Sequence, residues 1–489
     1  MRNYIWLKYL FLTVGITFFA LSNQCLAQSQ NLFESPYLQK DEKRPCLSCH
    51  RQHNLNTNEG VLASKAFCNE CHAQDDCVRT VNATKVSLKV PEDVFAEHPH
   101  NYISCTECHT DVAHSPHKSL AGPQCLECHS VHSERQANAP HLRVDCQACH
   151  FESEFVKLDK ETHQVKLARF NAEDKPISLA EHKRADFEQD EACRKCHFAK
   201  NQVGAPAAVL PAKSFLCLGC HNAPLHVGSA YGLYWVPLIV LLFGLFTVVS
   251  LWFKGSLGKE QSSTHEKISV SSEAIWQTIF SRRIFSIFKT AFFDILLQRR
   301  ILKEGVERWS IHSLIYLAFL GRLLLSLFTV LAYNTFPDSE LTLALIDKNN
   351  AFVALVHDLL GLFILIGVVW ALIKRFVNKS PQLLSEEQDT WALIIIGLLI
   401  LVGFILEGTR ILLTQIPASL AAYSFVGFIT AKILSVFPFG WQSIYAWFWY
   451  LHVLIWAAFL IYLPFGKLKH IIFTPLNLII SSVSREKTH

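Results

Sequence analysis

The motif Cys217-Leu-Gly-Cys220-His221 and the apolar run Tyr231–Phe253 (YGLYWVPLIVLLFGLFTVVSLWF) decide how this chain is read. Two cysteines three positions apart with histidine next in line are the attachment pattern of a c-type haem, two thiols for thioether bonds and an imidazole for iron. The run that starts ten residues later holds 23 positions without a charge. At about 1.5 Å per residue it is long enough to cross a hydrocarbon core of about 30 Å. A covalent haem site is thus joined directly to a membrane helix.

The chain differs on the two sides of this junction. The apolar excess behind the 51% hydrophobic content of the 489 residues lies after residue 230, and the formal charge is only +4. Such a balance gives no reason to expect nucleic acid as a partner. At the start, Arg2 and Lys8, an apolar stretch at Leu10–Leu21 and the small-residue pattern Cys25-Leu26-Ala27 predict a secretory signal peptide over 1–27.

Fourteen of the 16 cysteines fall in seven repeats of the motif. In chain order these are Cys46, Cys49 and His50; Cys68, Cys71 and His72; Cys105, Cys108 and His109; Cys125, Cys128 and His129; Cys146, Cys149 and His150; Cys193, Cys196 and His197; and Cys217, Cys220 and His221. A zinc ribbon does not need the trailing histidine each time. Seven covalent haems c are therefore expected over 28–228, a loop-rich domain with short helices in which the haem rings supply most of the core. Cys77 is left over and reads as a buried structural cysteine.

The sixth iron ligand follows by elimination. The only methionine is Met1, so His/Met ligation is excluded in the mature chain. Ten further histidines remain in this region: His53, His98, His100, His114, His117, His132, His141, His163, His182 and His226. They suffice for bis-histidine ligation of seven irons. No Cys-x-x-Cys-Lys variant, as in haem nitrite reductases, is present.

Beyond the first span at 229–253, apolar segments at about 309–333, 349–373, 391–413 and 441–465 predict an all-α five-helix transmembrane bundle. Residues 417–437, with Lys432 and flanking Pro417 and Pro438, predict an interfacial helix instead. Arg282, Arg283, Lys289, Arg299, Arg300, Lys303, Arg308, Lys374, Arg375, Lys379, Lys467 and Lys469 cluster in the connections assigned to the cytoplasm. Within 254–308, apolar positions from Ile275 to Leu296 recur at helical spacing and predict an amphipathic helix on the membrane face. Domains follow as a four-helix cytochrome b region over 309–476 and a cytoplasmic tail over 477–489. Four histidines fall in the bundle: His312, His357, His452 and His470. Intramembrane histidines are rare and functional, and they are read here as ligands of two haems b. The 18-residue interval between His452 and His470 is five turns of one continuous helix. By depth, His312 matches His470 and His357 matches His452.

The segments Phe293-Asp-Ile-Leu-Leu-Gln-Arg-Arg300, Trp309-Ser-Ile-His312, Tyr462-Leu-Pro-Phe-Gly-Lys-Leu-Lys-His470 and Thr474-Pro-Leu-Asn477 resemble the gamma-subunit family of respiratory nitrate reductase, which includes the membrane cytochromes b of heterodisulfide reductase. The resemblance covers about residues 229–480. It implies two b haems and quinone exchange, with His312 and His470 on the haem nearer the cytoplasm and His452 on the outer one. The chain departs from the family at Arg322, where the second histidine of the outer haem is expected. His357 is the replacement proposed on depth. Arg322 and Arg410 are candidates to pair with haem propionates or with Glu407. Glu407 and Asp358 are candidate quinol proton acceptors, with a structural salt bridge of Glu407 to Arg410 or Arg322 as the alternative.

These readings predict an inner-membrane electron-transfer subunit of quinol–cytochrome c type. A quinone, expected to be menaquinone, would exchange electrons with two b haems, seven periplasmic c haems and a periplasmic cytochrome or reductase. The alternatives are a membrane-anchored multihaem reductase of a small nitrogen or sulfur substrate, and a conduit to a cytoplasmic iron–sulfur subunit without a quinone site.

Overall fold

The computed structural model describes residues 53–81, 84–96, 98–109, 125–130, 139–151, 156–159, 161–168, 185, 191–227, 230–256, 284–377 and 387–485. The signal peptide, the first motif with Cys46, Cys49 and His50, the histidines His114, His117, His132 and His182, and the first part of the amphipathic segment lie outside the described residues.

The N-terminal region is built of short pieces, as expected, with one longer helix that the sequence did not announce. This helix, α1 (Asn58–His72), is capped by Thr57, whose hydroxyl accepts the Gly60 N–H at 3.1 Å. It carries the second motif, Cys68, Cys71 and His72, at its C-terminal end. Two antiparallel hairpins follow, β1 (Val78–Val81) with β2 (Thr84–Ser87), and β3 (Val156–Leu158) with β4 (Val165–Leu167). Among the described residues before 230, the buried apolar side chains are Ala, Val, Leu and one Cys, with no Phe, Ile, Trp or Tyr. That is a thin side-chain core for a region this long, and it leaves room for large rings.

The other motifs sit on single helical turns. The N–H of the motif histidine donates to the carbonyl of the first motif cysteine in His109 to Cys105 (2.9 Å), His129 to Cys125 (2.9 Å), His197 to Cys193 (3.0 Å) and His221 to Cys217 (3.0 Å). Positions i, i+3 and i+4 then share one face. Caps fix the turns in place: Ser104 and Glu107 form a capping box on Cys105–Cys108, Asp145 caps Cys146–His150, and Ser214 caps Phe215–Gly219.

Five helices are long and apolar enough to cross a membrane, over Gly232–Leu251, Val306–Thr335, Glu340–Phe376, Glu387–Leu413 and Trp441–Phe465. They lie in α2 (Tyr231–Ser256), α3 (Val306–Thr335), α4 (Ala351–Phe376), α5 (Glu387–Leu413) and α7 (Trp441–Phe465), with the shorter apolar helix α6 (Phe425–Ser435) between the last two. Exposed Leu242, Phe243, Phe246, Phe352 and Trp447 mark the outer surface of the bundle, where lipid makes such exposure favourable. The amphipathic segment appears as Ile284–Thr290 continuing into one π-helical stretch, Ala291–Leu296. It packs against the last helix, α8 (His470–Arg485).

One expectation is overturned here. His452 and His470 do not share a continuous helix: α7 ends at Phe465, Gly466 is extended, and a 3-10 turn at Lys467–Lys469 precedes His470 at the start of α8. Pro464 removes a backbone donor just where the helix stops.

No linker separates the two halves. Arg143 and Asp347 form a buried ion pair at 2.7 Å. Tyr333 Oη donates to the Ala223 carbonyl (3.0 Å) and Asn222 to that of Leu345 (3.0 Å). Gln415 N–H reaches the Asn201 carbonyl at 3.1 Å, and Arg410 reaches that of Gly204 at 3.3 Å. The N-terminal region is thus seated on one end of the bundle.

Candidate functional site

Two imidazoles on opposite sides of one metal atom, each bonded at about 2 Å, stand with ring centres about 6 Å apart. The porphyrin supplies the equatorial nitrogens, so pairs of histidines are the protein's signature. Among the described residues no group of three or more His, Cys, Asp or Glu converges as a bare metal-ion site. Pairs at the required spacing do occur.

The first pair is His312 with His470, ring centroids 6.3 Å apart and tilted 56°. His470 Nδ1 lies 2.7 Å from the Lys467 carbonyl. A carbonyl only accepts, so Nδ1 bears the proton and Nε2 keeps its lone pair. His312 Nδ1 lies 3.0 Å from Gln298 Oε1, which also accepts from Ser313 Oγ at 3.2 Å. This second contact of a ligating histidine sets its tautomer and orientation. Gln298 holds a left-handed backbone (φ 54°) and is 4% exposed. Sequence reasoning gave it no role, although it stands in the segment quoted for the family resemblance.

The second pair is His221 of the junction motif with His452 of α7, at 5.9 Å and 62°. His357 makes no ring contact with His452; its Nδ1 is buried without a partner, as is that of His452. Burial holds His221 well below its ordinary pKa of 6.5, in the neutral form that ligates metal.

Two more pairs lie in the N-terminal region. His100 stands 5.5 Å from the motif histidine His129, and His141 stands 6.1 Å from the motif histidine His197. His197 Nδ1 donates to the Pro206 carbonyl at 2.9 Å, and His72 Nδ1 to that of Leu88 at 3.0 Å. His98 Nδ1 accepts the His100 N–H at 3.1 Å. His53 has a buried, unpartnered Nε2, and His163 contacts Asp347 at 3.5 Å. The His226 carbonyl accepts from Phe215 N–H.

The motif cysteines differ in exposure. Cys71 and Cys128 are exposed, Cys149 is half-buried, and Cys220 is buried. Motifs also meet each other: the Cys68 thiol bonds to Cys105, Cys125 bonds to Cys146, and Cys149 acts on the buried Cys196 thiol, whose pKa burial pushes up to about 12. Thioether formation removes both the thiol proton and the polar cost of burying it, so a buried site such as Cys220 suits a covalent ring better than a free thiolate. The first motif, Cys46, Cys49 and His50, keeps its assignment from the repeat alone, since it falls outside the described residues. Cys77 is half-buried rather than buried, with Sγ 3.9 Å from His72 Nδ1 and a pKa raised by burial.

Both candidate carboxylates are engaged by the fold. Asp358 accepts from the N–H groups of Val426 (2.7 Å) and Gly427 (3.2 Å) and so caps α6. Glu407 pairs with Arg410 at 2.8 Å and accepts from Ser424, which is the structural alternative. Arg322 makes no ion pair among the described residues, and its Nε is buried without a partner.

No family model and no solved structure matches the chain. The EtfAB:quinone oxidoreductase of Syntrophomonas wolfei is 25% identical over 284 residues, 53% of this chain and 35% of that protein. The smaller membrane component of dihydromethanophenazine:CoB–CoM heterodisulfide reductase is 27% identical over 185 residues in Methanosarcina barkeri and 24% over 186 in Methanosarcina thermophila, each alignment covering 36% of this chain and 69% of the relative. The chain is thus a distant homologue of these membrane oxidoreductase components, and it spans about a third of the length of the first.

Proposed function

We propose that this chain is a membrane electron-transfer subunit that links the quinone pool to a row of covalent haems on its N-terminal domain, through a b haem held by His312 and His470. The single observation that carries this reading is the 6.3 Å pairing of those two rings, both with Nδ1 held against an oxygen. The names of the relatives, a quinone oxidoreductase and a dihydromethanophenazine-linked reductase, support a lipid-soluble electron carrier as the partner. Iron porphyrin supplies one-electron chemistry by alternating between ferric and ferrous states. The chain's residues do the rest: Gln298 and the Lys467 carbonyl aim the imidazoles, the apolar helices exclude water, and the motif turns hold each attachment site to its neighbour.

The basic connections place the N-terminal domain in the periplasm and the Ile284–Leu296 face at the cytoplasmic side of the inner membrane. Soluble periplasmic cytochromes or reductases are then the partners of the haem row. The test is pyridine haemochrome analysis of the purified chain before and after acid–acetone extraction. Haem c should remain bound and haem b should leave with the solvent. His312→Ala and His470→Ala should each abolish the same extractable haem, and a menaquinol analogue should reduce the c haems of the unaltered chain but not of these variants. Absence of extractable haem in the unaltered chain overturns the proposal.

A further inference from the structure

We infer that the iron bound at the junction motif Cys217-Leu-Gly-Cys220-His221 takes His452, from the last membrane helix, as its sixth ligand. The outer haem position of the bundle is thereby filled by a covalent c haem, and the chain holds one b haem, not two. This rests on the reading of the seven motifs as covalent haem sites.

The ring spacing of 5.9 Å matches the His312–His470 and His141–His197 pairs at 6.3 and 6.1 Å, and no comparable contact joins His452 to His357. The motif turn is itself docked on α7. A Cβ on Gly219 would stand 3.2 Å from the Trp456 ring and 3.5 Å from that of Phe319. Trp456 follows His452 by one turn, on the same face, and stacks on Phe459 at 5.0 Å. The apolar core shared by Leu216, Cys220 and Tyr234 with Ala318, Val453 and Trp456 puts the attachment cysteine inside the bundle.

Charge and unsatisfied polar atoms agree. Lys213, Arg322 and Lys348 all act on His221, and none of them forms an ion pair among the described residues. Arg322 Nε, Tyr234 Oη and Trp456 Nε1 are buried without partners. Buried polar groups are expected to be satisfied, and a haem brings two propionates that need cations and donors. Arg322, the departure from the family pattern, follows from this arrangement: once His221 supplies the second imidazole from the N-terminal domain, α3 no longer needs one and can offer a counter-ion.

The experiment uses the full chain. The unaltered protein should give seven covalent haems to one extractable haem. His452→Ala should keep that ratio while one covalent haem turns high-spin by electron paramagnetic resonance, and His357→Ala should change neither. Because Met1 is the only methionine, His452→Met supplies a second readout that survives poor behaviour of the alanine variant. It should introduce the charge-transfer band of a methionine-ligated ferric haem on a covalent haem, with a raised potential. A seven-to-two ratio, with His452→Ala and His357→Ala each losing the same extractable haem, overturns the inference and leaves the motif reading intact. Absence of covalent haem in the unaltered protein overturns the motif reading itself.

Discussion

Gln298 shows how a single side chain orders the b haem site. Its left-handed backbone conformation (φ 54°) costs a residue with a Cβ about 1–2 kcal/mol. The conformation delivers Oε1 to both His312 Nδ1 and Ser313 Oγ. Removing an outer contact of a metal-bound histidine costs about 10–100-fold in affinity. Gln298→Ala should therefore shed haem b during detergent washing at least about tenfold faster than the unaltered chain, whereas Gln298→Glu, which keeps the acceptor, should retain it and lower its potential. Equal retention and equal potential in both variants would show that Gln298 has no part in holding the site.

At the scale of elements, the break between α7 and α8 matters most. Gly466 has no room for a side chain: a Cβ there would come within 2.3 Å of the Tyr462 ring. Tyr462 Oη in turn donates to the Gln388 carbonyl at the start of α5 at 2.6 Å. Gly466→Ala must push that ring aside and strain the turn that aims His470. A loss of about 1–3 kcal/mol is expected from such overpacking, seen as a lower thermal midpoint together with partial loss of the extractable haem. Retention of both would place the slack elsewhere in the turn.

Across the whole molecule, the N-terminal region and the bundle hold each other through buried polar contacts. Arg143 and Asp347 are both nearly excluded from solvent and bonded at 2.7 Å. Breaking one side of such a pair leaves a bare buried charge and costs roughly 3–5 kcal/mol, while replacing both by apolar residues of similar size is close to neutral. Asp347→Ala should loosen the seat of the N-terminal region and speed proteolysis within 222–231. The double variant Arg143→Met with Asp347→Leu should recover most of the protection. If Asp347→Ala is cut no faster than the unaltered protein, the ion pair does not hold the two halves together. The same seating brings His221 to His452, so that weakening the lock should also raise the high-spin fraction of the junction haem.

Features with short-range causes were legible in the sequence. The Cys-x-x-Cys-His turn needs only i, i+3 and i+4 on one face, and a span needs only enough apolar residues in a row. The motif turns, the five long helices and the short helix at Phe425–Ser435 follow from those local rules. The helix Asn58–His72 was hidden because the motif and the polar residues around it mask its periodicity. The interval from His452 to His470 fitted one helix by count, but Pro464 and the crowding of Gly466 against Tyr462 end that helix first. Which imidazoles face each other was not local at all. His221 and His452 are brought together by the docking of the motif turn on Trp456 and Phe319, and His312 finds His470 through α8 folding back on Ile284–Leu296. No spacing along the chain encodes such pairs, since they depend on how distant helices pack; the ligand types belong to the sequence, and their pairing to the tertiary structure.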